Sequence, residues 1–128
     1  MTSPDSVQPL PAGLAVGLGL RPDLLPDHIL AALAEALPGA RITCLATIDR
    51  RAEEPGLRRA AAILEVPLHS FTAGQLARVR VPNPSDRVAA ALGIPGVAEA
   101  AALLAGTGAL IVPRRVISGV VIAATAVA

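Results

Sequence analysis

The chain contains no lysine, no tryptophan and no tyrosine, and only one phenylalanine and one cysteine. Without lysine there is no amine for a Schiff base or a P-loop. All eleven basic residues are arginines, whose planar forks suit carboxylates and phosphates. Phe71 alone cannot make the aromatic platform on which nucleic acid bases stack. A net charge of +1 gives no field to steer the chain toward nucleic acid or a membrane surface. The lone Cys44 rules out a disulfide framework or a cysteine zinc site within one chain, and its apolar neighbours point to a small buried hydrophobe. His28 and His69 lack metal-ligand spacing, so no metal site and no cofactor are expected. Long apolar runs are missing too. The longest, Val116 to Ala128, has 13 residues, too few to span a bilayer. The polar, proline-rich start MTSPDSVQPLPAG shows no secretory signal pattern, which predicts a soluble cytoplasmic protein.

What is present is aliphatic. Hydrophobic residues make up 53% of 128 residues, mostly Ala, Leu and Val, which suits one domain with one core. Residues 1–13 read as a flexible leader and 14–128 as the folded domain. LAVGLGL, from Leu14 to Leu20, reads as a buried strand ending in a glycine turn. A helix follows from Pro26 and stops at Pro38-Gly39. RITCLATI is a second strand, Pro55 to Leu64 a second helix opened by proline, and VPLHSF a third strand. A helical turn near Thr72–Ala77, a helix running from NPSD to about Gly93, and an Ala-rich helix over Gly96–Ala105 come next. ALIVP and GVVIAATA then form a final strand pair, expected to be joined around Arg114-Arg115. Strands alternating with helices predict a compact three-layer α/β domain, with a mainly parallel sheet and a C-terminal strand pair.

In that class ligands sit beyond the carboxyl ends of strands. Three segments reach such places: Gly17–Arg21, Thr47–Glu54 and Pro113–Arg115. GLGLRP puts Gly17 and Gly19 after a strand, but Pro22 stands where the dinucleotide pattern needs Gly or Ala, so a nucleotide-binding module is disfavoured. TIDRRAEEPGL reads either as a helix start with acids near the dipole's positive end or as one wall of a crevice. Asn83-Pro84-Ser85-Asp86 has the residues of a helix cap. Glu99 is a single charge in an apolar helix. It is either exposed near the first turn, or buried with a partner for which arginine is the obvious choice.

Taken in order, GLGLR, LATIDRRAEEPGL, VPNPSDRV, GIPGVAEAAAL, LIVPR and VVIAATA resemble the CobE/CbiG C-terminal family of cobalamin (vitamin B12) biosynthesis, over Leu14 to Ala126. The chain looks like a stand-alone member rather than a fused one. The resemblance implies a compact α/β domain with a role in building the corrin ring, around ring contraction and deacylation. The family often has cysteine after the second glycine of the first motif, where this chain has Leu20. Its usual lysines in the ATID block and after the later strand are Arg51 and Arg114 here, so positive charge persists without amine chemistry.

A corrin precursor is a large, mostly apolar macrocycle rimmed by carboxylates, and its site needs an apolar floor and several cationic forks. The expected ligand set is Gly17, Gly19, Arg21, Thr47, Asp49, Arg51, Glu54, Asn83, Ser85, Glu99 and Arg114. In it Arg21, Arg51 and Arg114 are the forks at strand exits, Thr47, Asn83 and Ser85 supply hydrogen bonds, and Asp49 and Glu54 hold the arginines. The leading expectation is a carrier or accessory protein binding that intermediate, with other pathway enzymes as further partners. The rival is a hydrolase opening a ring lactone or removing a two-carbon acyl fragment, with Asp49 or Glu99 as general base. An apolar edge strand near the C-terminus offers a pairing edge to a second copy, so a homodimer is an open option.

Overall fold

The computed structural model describes residues 13–79 and 96–127. Ten elements follow in chain order: β1 (Gly13–Gly19), α1 (Pro26–Ala36), β2 (Ile42–Ile48), α2 (Asp49–Ala52), α3 (Pro55–Leu64), β3 (Leu68–Phe71), α4 (Ala73–Ala77), α5 (Val97–Ala105), β4 (Leu110–Ile117) and β5 (Val120–Val127). They build one five-stranded sheet in the order β3-β2-β1-β5-β4. β1, β2 and β3 run parallel, whereas β5 is antiparallel to both β1 and β4. The sheet is therefore mixed, with a parallel half and the expected C-terminal antiparallel pair.

Side chains alternate across a strand, so each strand divides between two faces. Leu14, Val16 and Leu18 of β1, Leu45 of β2 and Val120, Ile122 and Ala124 of β5 meet Ile29 and Leu33 of α1 and Leu57, Ala60 and Ala61 of α3. Leu57, Ala60, Ala61 and Leu64 recur at helical spacing, which explains why α3 buries one stripe. On the opposite face alanine predominates. Ala46 and Ile48 pack on Leu76, Val97, Ala100 and Ala101, and Ala123 packs on Ala98 and Ala102. Here Gly17 matters: a Cβ would overlap the Ala98 carbonyl oxygen, so its bare backbone lets α5 lie directly on β1. Helices on both faces give the three layers.

Local signals explain the boundaries. Both α1 and α3 begin with proline in the first turn, where the missing N–H costs nothing. α4 opens with a capping box between Thr72 and Gln75, each side chain bonded to the other's backbone N–H.

Some expectations need correction. Gly13 belongs to β1, not to a leader. The last two strands are not joined around Arg114-Arg115, which lie inside β4. The turn is Ser118-Gly119, with φ of 50° and 83° and Ile117 paired to Val120. Positive φ at both central residues is the two-residue hairpin geometry that matches strand twist, and glycine at the second makes it accessible. The helix expected from NPSD to Gly93, with Asn83 and Ser85, lies outside the described residues, as do residues 1–12. No helix among the described residues is long and apolar enough to cross a membrane.

Candidate functional site

A cavity of about 400 Å³ opens where β1 and β2 end, under the first turn of α5 and beside the β4–β5 hairpin. Its apolar walls include Leu20, Ile48, Val97, Ala98, Val116 and Val121. β1 has a parallel neighbour on one side and an antiparallel one on the other. The chain lays β2 and β3 on one side of β1 and then crosses to lay β4 and β5 on the other, so the cavity sits where the strand order reverses and this class of sheet leaves a crevice.

Three guanidiniums line it, from three separate segments: Arg21 after β1, Arg51 in α2 and Arg114 in β4. Arg51 donates from Nε to the Leu20 carbonyl at 2.9 Å. That bond fixes the stem and leaves the terminal Nη edge for another acceptor. Arg21 lies against the hairpin turn, since a Cβ on Gly119 would stand 2.6 Å from its Nη1. Neither Arg21 nor Arg51 is paired with a carboxylate among the described residues. The floor is held by Thr47, which is fully buried and donates its hydroxyl to the Leu18 carbonyl at 2.7 Å. α5 begins at the cavity with Gly96 as its cap, at φ 75° and without a side-chain acceptor. The first-turn N–H groups of a helix lack intrahelical partners and carry partial positive charge, so this wall also favours an anion.

Of the expected ligand set, Gly19, Arg21, Thr47, Arg51 and Arg114 therefore come together. Gly17 does not: it lies beneath α5 and serves packing. Asp49 and Glu54 do not hold the arginines. Asp49 starts α2, its Oδ1 accepts from the Arg50 N–H at 2.7 Å, and it lines a different groove with Glu53, Arg58 and Ser70. Glu54 Oε1 accepts from the Asp23 N–H at 2.7 Å, bracing a residue with φ of 69°. Glu99 is fully buried, and its Oε2 accepts from the backbone N–H of Arg114 at 3.0 Å. Arg114 itself stands within β4 rather than at a strand exit. Asn83 and Ser85 lie outside the described residues.

That second groove is larger, about 580 Å³, but is lined by charges of both signs beside the β3 edge and gathers none of the three arginines. Cys44 is buried, and desolvation pushes its thiol pKa up, away from the reactive thiolate. Among the described residues no group of His, Cys, Asp or Glu is placed to hold a metal ion.

Sequence reasoning missed Gly96, Val116 and Gly119. Gly96 and Gly119 contribute absent side chains at positive φ, and the Ser-Gly pair was the readable sign of the second. Val116 was hidden by placing the turn four residues too early.

A family model described as cobalamin synthesis G C-terminus matches residues 14–125. Protein CobE of Sinorhizobium sp is 36% identical over 123 residues, covering 90% of this chain and 80% of that protein. A crystal structure of CobE, a protein from the cobalamin (vitamin B12) biosynthetic pathway, aligns with a TM-score of 0.78 at 32% identity, covering 96% of this chain and 97% of that one. Cobalamin biosynthesis protein ChiG from Agrobacterium tumefaciens str. C58 aligns with a TM-score of 0.69 at 32% identity, covering 90% and 98% of the two chains. The chain belongs to the CobE/CbiG C-terminal family of cobalamin biosynthesis proteins.

Proposed function

We propose that the chain binds a carboxylate-bearing corrin-ring precursor in the strand-end cavity and serves the pathway as a carrier or accessory protein around ring contraction and deacylation. The observation that carries this reading is the convergence of Arg21, Arg51 and Arg114, from three separate segments, on one apolar cavity beside a helix N-terminus. Apolar walls suit the ring, and forks on different sides suit the acid groups around its rim. A cavity of about 400 Å³ is smaller than a whole macrocycle, so one edge of the ring with its acid side chains enters and the rest stays outside. Partial enclosure fits a protein that hands its ligand on, and enzymes of the same pathway are the natural recipients.

The hydrolase alternative draws little support from the side chains named for it. Asp49 lines the other groove, and Glu99 is buried with one oxygen bonded to a backbone N–H. A general base needs reach to the water it activates.

The test is a visible-absorbance titration with late carboxylate-bearing precorrins and a finished corrinoid acid. A saturable spectral shift is expected, weakening as salt is raised. Arg21→Ala should raise Kd by about tenfold, the loss typical of one charge-assisted hydrogen bond. Absence of a shift with every ring compound would sink the reading.

A further inference from the structure

Glu99 is the one fully buried charged side chain among the described residues. A carboxylate taken out of water costs several kcal/mol unless its oxygens are bonded. Here the helix supplies part of the compensation, because Glu99 lies in the first turn of α5, where the dipole favours negative charge. The Arg114 N–H supplies another part, at 3.0 Å.

That N–H belongs to an irregular place. Among the described residues β4 is an outer strand of the sheet, with β5 as its only neighbour. Val112 pairs with Ala124 and Arg115 with Ile122, so Pro113 and Arg114 stand opposite Ala123 alone. This is a β-bulge on an edge strand, and it contains a proline, which has no N–H to give to a ladder. In any strand a slip of one residue exchanges the faces of its side chains. The consequence is concrete. Arg114 lines the cavity, while its neighbour Arg115 reaches the other way and donates from Nη1 to the Ala36 carbonyl at 3.2 Å.

We propose that Glu99 is a positioning residue. Its carboxylate clasps the backbone of Arg114 to the first turn of α5, holds the bulge in register, and fixes which of two adjacent guanidiniums faces the cavity. This rests on the ligand site proposed above, but the clasp itself can be measured without ligand.

The experiment compares wild type, Glu99→Gln, Glu99→Ala, Arg114→Ala and the Glu99→Ala/Arg114→Ala double variant. Amide hydrogen exchange at Arg114 is read in the unliganded protein, and Kd for a carboxylate-bearing corrinoid acid is read by visible absorbance. Glutamine keeps an acceptor at the same reach, so Glu99→Gln should hold Kd within about threefold and keep the Arg114 amide protected. Glu99→Ala should speed exchange at Arg114 and raise Kd about tenfold. The double variant should bind no worse than Arg114→Ala, because both changes remove one unit. If Glu99→Ala does not fold, Glu99→Asp replaces it: the charge stays but draws back by one methylene, and the same loss is expected. Unchanged Arg114 exchange in these variants overturns the clasp. So does a double variant whose losses simply add. If wild type binds no ring acid at all, the ligand reading falls, and the exchange arm still decides the clasp.

Discussion

The two faces of the sheet are built on different principles. Under α1 and α3 the strands present Leu14, Val16, Leu18, Leu45 and Ile122, and the helices answer with Ile29, Leu33 and Leu57. Under α5 they present Gly17, Ala46 and Ala123 to an alanine helix. Large side chains keep a helix at a distance and fill the gap with apolar volume, which is where most of the stability resides. Small ones let the helix backbone come close. That closeness sets the first turn of α5 at the strand ends, with its N–H groups at the cavity and Glu99 bonded to the Arg114 backbone. One face holds the molecule together, and the other aims a helix at the cavity.

Substitutions of opposite sense should separate these two roles. Leu45→Ala empties a fully buried position of the larger core, and unfolding free energy should fall by about 3 kcal/mol. Below the transition, affinity for a ring acid should stay within about twofold, since Leu45 does not line the cavity. Urea denaturation and the absorbance titration on the same preparation give both numbers. A Kd that rises in step with lost stability would erase the distinction between the faces.

Gly17→Ala makes the reverse change. Its methyl would overlap the Ala98 carbonyl oxygen and approach the Ala102 nitrogen to 2.7 Å, and neither backbone atom can swing aside. α5 must lift off β1, at a cost of about 2 kcal/mol. Because the cavity is walled by the start of that helix, Kd should rise as well, by tenfold or more. Stability lost with affinity intact would mean that the seat of α5 does not govern the site.

The same contrast governs what could be read from the residues. The leucine face was legible, since LAVGLGL and RITCLATI read openly as apolar strands and proline marks both helix starts. α5 was legible as a helix, but alanine all around it hides which side is buried, so the burial of Glu99 could not be settled. The arginines of the cavity were visible as types, because three forks in an apolar chain are conspicuous. Their bonding was not. Asp49 and Glu54 sit within three residues of Arg51 in sequence, yet the start of α2 directs the first elsewhere and the start of α3 the second, and the atoms they meet are backbone N–H groups of Arg50 and Asp23. The Arg114-Arg115 pair looked like a turn because it is charged. On an edge strand one of the two faces the cavity and the other the opposite side, so charge there carries no turn signal.

The smallest change in stability is expected at the hairpin, where Gly119 belongs to neither face. Gly119→Ala puts a side chain on a residue at φ 83°, which costs about 1 kcal/mol. Its methyl would also stand 2.6 Å from Arg21 Nη1, and a long flexible side chain can move where backbone cannot. Arg21 should therefore swing away from the turn while the fold persists. Kd for a ring acid should rise toward the value of Arg21→Ala, although the guanidinium is still present, and adding Gly119→Ala to Arg21→Ala should cost little further affinity. His28, which donates to the Ser118 carbonyl at 2.8 Å from the far side, keeps the turn in place meanwhile. Full affinity in Gly119→Ala would show that Arg21 binds from a conformation independent of the turn. The cavity would then be shaped by the α5 face alone, with the hairpin as a bystander.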